Sequence, residues 1–190
     1  NVTDAYEAYD LNQVVKQVTS FVSDDLSNWY IRRNRNRFWS SELDNSKKAV
    51  YITTYEVLTG LCKLCAPIIP YVTEEIYRNL TGEKSVHLSD FPKYDESLIN
   101  EEIEVKMDLV RDLISTGRFV REETKIKVRQ PISEALIDGK YENILGDLVS
   151  LINEELNVKK VTFVDDLSKY MNFTIKPNFK VCGSMFGPKM

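Results

Sequence analysis

The hydrophobic period of this chain changes once, near residue 124, and that change limits the architecture more than any other feature. From Leu11 onward Val15, Val18, Val22, Leu26 and Trp29 recur at steps of three and four, which places them on one face of an amphipathic helix. A second set, Tyr51, Tyr55, Leu58, Cys62 and Cys65 with Val50, Val57, Leu61 and Leu64 beside it, is apolar around much of its circumference and suits the centre of a bundle. Pro67 and Pro70 end that helix, and Pro70 opens a short one through Val72, Ile76 and Leu80 that Gly82 stops. Residues 83–97 read as an extended connection. Ile103, Met107, Val110, Ile114 and Gly117 then carry a fourth helix to about Glu123, with Gly117 letting another backbone come close. Beyond residue 124 the runs 126–129, 134–138, 158–164 and 170–176 alternate or are β-branched, the pattern of strands. Between them Ile144, Leu148, Leu151, Ile152 and Glu155 have helical spacing. The expected fold class is mainly α: an antiparallel helical bundle over residues 1–124, then a small α+β lobe over residues 125–190.

With 43% apolar and 28% charged residues among 190, the chain is able to bury an ordinary core, which excludes disordered and collagen-like classes. No apolar run approaches the ~18 residues of a membrane span, and the N-terminus has neither a basic start nor an apolar stretch, so a soluble, cytoplasmic protein is expected. Three cysteines fit a reducing compartment better than a disulfide framework. The chain opens without Met and stops at Gly187-Pro188-Lys189-Met190, as a fragment of something longer would.

A net charge of −4 argues against a uniformly basic nucleic-acid binder, but the charges are unevenly spread. Residues 29–39 hold four Arg and no acid, residues 117–131 hold five basic residues against Glu122 and Glu123, and four Lys follow Asp166 with no acid among them. A basic stripe on an otherwise acidic chain is the pattern to explain.

Catalytic patterns are missing. His87 has no sequence partner that makes it a general base, and the chain has no Gly-rich phosphate loop, nucleophile elbow or two-His metal motif. Cys62-Lys63-Leu64-Cys65 has the spacing of a redox or zinc site, with His87 and Cys182 as conceivable further ligands. Both cysteines nevertheless continue the apolar stripe of a helix, which favours packing over metal.

The informative segment runs from Trp29 to Trp39. The buried stripe of the first helix would continue through Arg33, Asn36 and Arg37, so cations replace apolar side chains where packing should continue. Arg32, Arg35 and Trp39 fall with Asn28 on an adjoining face, setting guanidinium forks beside indole rings. That pairing suits RNA, since Arg grips phosphates in a bidentate way and stacks on bases while Trp offers a flat platform. It suits equally a set of salt bridges to a neighbouring domain with Trp as interface anchors. A second basic segment, Arg118, Arg121, Lys125, Lys127 and Arg129, bridges the fourth helix and the first strand, where Lys127 and Arg129 would share a solvent face. Edge protection by Lys and phosphate contact are both open there.

The stretches Asp25-Leu26-Ser27-Asn28-Trp29-Tyr30-Ile31-Arg32-Arg33-Asn34-Arg35-Asn36-Arg37-Phe38-Trp39, Leu64-Cys65-Ala66-Pro67-Ile68-Ile69-Pro70-Tyr71-Val72-Thr73-Glu74-Glu75 and Ser85-Val86-His87-Leu88-Ser89-Asp90-Phe91-Pro92 closely resemble the anticodon-binding region of the isoleucyl-tRNA synthetases. Lys125-Ile126-Lys127-Val128-Arg129-Gln130-Pro131 and Asn153-Glu154-Glu155-Leu156-Asn157-Val158 fit as well, so the resemblance covers nearly the whole chain. The first and fourth stretches look like the branch shared by eukaryotic cytosolic and some bacterial enzymes. The resemblance implies a class I aminoacyl-tRNA synthetase as the parent, using ATP and Mg²⁺ to attach isoleucine to its tRNA. The class signatures His-Ile-Gly-His and Lys-Met-Ser-Lys-Ser are absent, so no catalytic residue, cofactor or metal is expected in this fragment. Its expected partners are isoleucine tRNA and an upstream catalytic domain of the same polypeptide, and no membrane. The candidate tRNA-binding residues are Trp29, Arg32, Arg33, Arg35, Arg37, Trp39, Arg121, Lys125, Lys127 and Arg129. The same module of a valyl- or leucyl-tRNA synthetase, or a helical protein-interaction scaffold, are the competing readings.

Overall fold

The computed structural model describes residues 2–170, so the strand expected over 170–176 lies outside the described residues except for Tyr170, which closes a 3₁₀ turn, and Cys182 and the lysines beyond Lys169 lie outside them altogether. The chain divides into two compact units, one ending at Tyr94 and the other beginning at Asp95. Most of the described residues are helical, so the mainly α class is observed.

The first unit opens with α1 (Val2–Glu7) and α2 (Leu11–Ser20). Asp10 caps α2 by accepting from the Gln13 N–H at 3.0 Å. The helix does not end at Ser20 but widens into a π-helical stretch, Phe21–Ile31, closed by the Arg32 N–H on Ser27 O. Wider turns displace every later side chain from the 3.6-residue projection. Of the stripe expected to be buried, Leu26 is in the core, Val18 and Trp29 are half-buried, and Val15 and Val22 stay exposed, while Val14, outside that stripe, is fully buried. A short α3 (Arg35–Trp39) follows, then α4 (Asn45–Cys65), whose N-cap Asp44 accepts from the Lys47 N–H at 2.7 Å.

Pro67 and Pro70 break the chain as expected, and α5 (Pro70–Thr81) begins on Pro70 and closes on Gly82 at φ 73°, a left-handed cap that glycine adopts without strain. Its last turn reaches back to the middle of α4, where Leu80 shares a cleft with Tyr51, Ile52 and Tyr55. The buried face of α5 differs from the one expected. Thr73 and Tyr77 are inside while Val72, Ile76 and Leu80 are exposed, because Tyr77 packs with Cys62, Ala66 and Val86. Glu74 ties the following segment to α5, accepting from Ser85 Oγ and the Val86 N–H, each at 2.9 Å. Residues 83–97, expected as an extended connection, include the 3₁₀ turn Val86–Leu88 and run into a second, Glu96–Leu98.

The second unit is built on α6 (Glu101–Glu123), capped by Asn100. Two parallel strands, β1 (Ala135–Asp138) and β2 (Val161–Val164), pair Ala135 with Val161 through Asp138 with Val164. A parallel pair needs a crossover, and α7 (Glu142–Leu145) and α8 (Val149–Leu156) supply it, separated at Gly146 where a single helix was expected. α8 lies against α6 at Gly117, where a Cβ would come within 2.9 Å of Leu156 Cδ2. The close approach read from Gly117 is therefore to a side chain and not to backbone. Residues 126–129, expected as a strand, form a turn instead. The expected boundary at residue 124 coincides with the C-cap of α6, within this second unit.

Candidate nucleic-acid interface

The Trp29–Trp39 segment leaves the π-helical stretch, passes Asn34 and re-forms as α3, so its side chains fan out over more than one helical face. Arg33 lies over the half-buried Trp29 ring at 5.2 Å, a cation–π contact one turn apart. Arg32 Nε donates to Asn28 O at 2.8 Å, and Asn34 Nδ2 donates to Tyr30 O at 2.8 Å. Arg32 and Arg35 reach an open cleft of about 570 Å³ with Asn28, Ile31, Phe38 and Trp39 along its wall. Trp39 is 79% exposed, and the Arg35 side chain makes no ion pair or hydrogen bond among the described residues. The grouping of Asn28, Arg32, Arg35 and Trp39 expected from the sequence is thus present in space.

Arg37 is differently placed. Its Nε donates to Ser46 Oγ at 2.8 Å, Nη2 to Ser46 O at 2.7 Å and Nη1 to Asn34 Oδ1 at 2.7 Å, so its fork fastens α3 to the start of α4. Beside this cleft a second, apolar one of about 500 Å³ shares Phe38 and Thr54 with it. Tyr51 stands edge-on to Phe38 at 5.4 Å there. Phe38 and Thr54 were not singled out by the sequence analysis. Phe38 was legible in the aromatic spacing, whereas Thr54 gave no signal.

In the second unit the basic segment separates by burial. Lys125, Lys127 and Arg129 are exposed, with Lys125 at φ 58°. Arg118 pairs with the buried carboxylate of Glu155. Arg121 corrects the sequence reading: it is 4% exposed, and its terminal nitrogens face carbonyls of the interior, so it is out of reach of a surface ligand. The alternation that placed Lys127 and Arg129 on one strand face does not apply either, since residues 126–129 turn.

Cys62 and Cys65 are buried in α4, and burial pushes both thiols up, Cys62 further through its neighbour Cys65. Both are packed side chains of α4, continuing its apolar stripe. His87 lies exposed on the 3₁₀ turn, and the nearby Glu74 carboxylate is committed to Ser85 and Val86. Among the described residues no cluster of His, Cys, Asp and Glu is suited to a metal ion, and no helix is long and apolar enough to cross a membrane.

An exposed indole beside guanidinium groups in an open cleft is chemistry for a flat, anionic ligand. Comparison with known proteins gives the lineage, for the family model described as the anticodon-binding domain of tRNA ligase matches residues 1–136. The chain belongs to that family. Similar relatives include the isoleucine–tRNA ligases of Clostridium acetobutylicum, 45% identical over 98% of this chain, and of Clostridium novyi, 46% identical over 98%. That of Chlamydia pneumoniae is 41% identical over 100% of it. The chain spans 18% of the length of each of these relatives.

Proposed function

We propose that this chain is the tRNA-gripping part of an isoleucine–tRNA ligase, binding isoleucine tRNA chiefly through its anticodon arm. It would orient the acceptor end toward a catalytic domain of the same cytoplasmic polypeptide. The cleft in which the exposed Trp39 ring stands beside Arg32 and Arg35 carries the reading, and the isoleucine–tRNA ligase names of the relatives support the choice of tRNA. The residues here do not fit ATP, having neither a Gly-rich phosphate loop nor the two class I signatures, so nucleotide and Mg²⁺ belong to the catalytic domain. The proposed contacts are Trp29, Arg32, Arg33, Arg35 and Trp39 in the first unit and Lys125, Lys127 and Arg129 in the second. In this reading residues 1–124 carry the anticodon-binding helices and residues 125–190 an accessory lobe.

The test is an anisotropy titration against isoleucine and valine tRNA transcripts at two salt concentrations. Counterion release makes affinity fall steeply with salt, and the isoleucine transcript is expected to bind tighter. Affinity indifferent to salt would leave a protein-interaction scaffold as the better description. Tighter binding of the valine transcript would move the chain to the valyl-type module.

A further inference from the structure

Arg121 presents a problem that its burial makes acute. A guanidinium taken out of water needs a counter-ion or a full set of acceptors, and no carboxylate pairs with Arg121 among the described residues. Glu155, buried between α6 and α8, pairs with Arg118 instead. Arg121 is compensated by carbonyl dipoles alone. Nη1 donates to Lys127 O at 3.0 Å and Gln130 O at 3.1 Å, and Nη2 to Leu156 O at 2.6 Å and Asn157 O at 3.2 Å. The last two acceptors belong to the C-terminal end of α8, where the helix dipole is negative.

Asn157 completes the arrangement. It holds a left-handed conformation at φ 49° after α8, and its Nδ2 donates to Val128 O at 3.0 Å and Arg129 O at 3.2 Å. Two side chains thus capture the consecutive carbonyls of Lys127, Val128, Arg129 and Gln130. The Gln130 N–H closes the turn on Lys127 O at 2.9 Å, while the N–H groups of Lys127, Val128 and Arg129 make no hydrogen bond to any described residue. Around them the side chains of Lys125, Lys127 and Arg129 are exposed and without ion pairs among the described residues.

A turn whose carbonyls are held inward leaves its amide donors and its cations for an anion, the logic of backbone phosphate cradles. We infer that Arg121 is a positioning residue which, with Asn157, holds residues 125–130 as a loop that binds phosphates of an RNA backbone. The inference rests on the tRNA-binding reading above and assigns one of its contact sites. Arg121 touches no RNA; it keeps the loop in the shape that does.

The experiment compares the full chain with Lys127→Ala/Arg129→Ala, Arg121→Lys and Asn157→Ala, reading tRNA affinity, its salt slope and amide hydrogen exchange across residues 125–130. Removing both cations is expected to lower the slope by about 1.4 to 1.8 units, the value for two lost phosphate contacts. Arg121→Lys keeps the charge but cannot span four acceptors, so exchange in the loop should accelerate and affinity fall on the order of tenfold through lost preorganisation. Combined with Lys127→Ala/Arg129→Ala it should cost little more, because the same contacts are already gone. Should Arg121→Lys fail to fold, Asn157→Ala loosens the same loop from the other tether and is expected to show the same signs more mildly. Addition of tRNA, but not of inorganic phosphate alone, should slow loop exchange in the unaltered chain. Normal affinity with accelerated exchange, fully additive losses, or equal protection by inorganic phosphate would overturn the inference. Failure of the unaltered chain to bind any tRNA would overturn the underlying reading, a distinguishable result.

Discussion

A guanidinium can spend its donors within the protein or offer them to a ligand, and the arginines of this chain divide along that line. Arg37 and Arg121 are spent, on Ser46 and Asn34 in one case and on interior carbonyls in the other. Arg35 is offered, standing in the cleft beside Trp39. Replacing Arg37 by Ala should therefore destabilise the chain by about 1 to 2 kcal/mol, the net worth of its hydrogen bonds, and leave the salt slope of tRNA binding unchanged. Arg35→Ala should do the reverse, with stability within about 0.5 kcal/mol of the parent and a salt slope lower by roughly one unit. Urea denaturation and the tRNA titration together measure both. An Arg37→Ala variant of full stability and reduced slope would show the two roles to be exchanged.

At the scale of elements, side-chain fit decides which faces meet. Gly117 accommodates Leu156 where α6 and α8 cross, so Gly117→Ala should cost about 1 to 3 kcal/mol through overpacking, more than the gain of up to about 1 kcal/mol in helix propensity. With Leu156→Ala as the background the obstacle is gone, and the same change should become stabilising. A Gly117→Ala effect of the same sign in both backgrounds would refute this account of the crossing. Glu74 plays the corresponding role between α5 and the Val86–Leu88 turn. Partial burial acts to raise its carboxyl, but the Val86 N–H and Ser85 hydroxyl, with His87 and Arg78 nearby, hold it below the ordinary carboxylate range. A depressed folded value means a contribution fully present above the unfolded pKa of about 4.3 and lost as pH falls through the folded one. The stability gap between parent and Glu74→Gln should accordingly be constant at pH values well above the unfolded carboxylate pKa and narrow as pH falls below it. A gap that persists in acid would separate the Glu74 effect from its charge.

Taken whole, the molecule is two compact units, the first ending at Tyr94, and residues 93–100 are exposed throughout. Exposed connections are where proteases act first. Limited trypsin digestion is expected to cut after Lys93 before any site inside α4 or α6, yielding two resistant fragments. Early cleavage within either helix would contradict the two-unit division. The net charge of −4 also bears on the whole chain, since long-range attraction of RNA must come from the local basic regions against an unfavourable average.

The sequence by itself determined the elements whose signals are local. The Pro70 start and Gly82 stop of α5, the span of α6 and the grouping of Asn28, Arg32, Arg35 and Trp39 all depend on residues near one another in the chain. The mainly α class and the resemblance to an anticodon-binding region followed from the same local patterns. Tertiary structure alone decided the widening of the first long helix after Ser20, the exposure of Val15 and Val22, and the choice of Tyr77 over Ile76 as the buried residue of α5. It decided as well that residues 126–129 turn instead of extending. An alternation of Ile, Lys, Val and Arg records only which side chains share a face, whereas the conformation there is imposed by Arg121 and by Asn157, 28 residues beyond Arg129, through hydrogen bonds to carbonyls that every residue type possesses. Backbone acceptors carry no signature in composition or spacing, so their capture by distant side chains is visible only once the chain has folded.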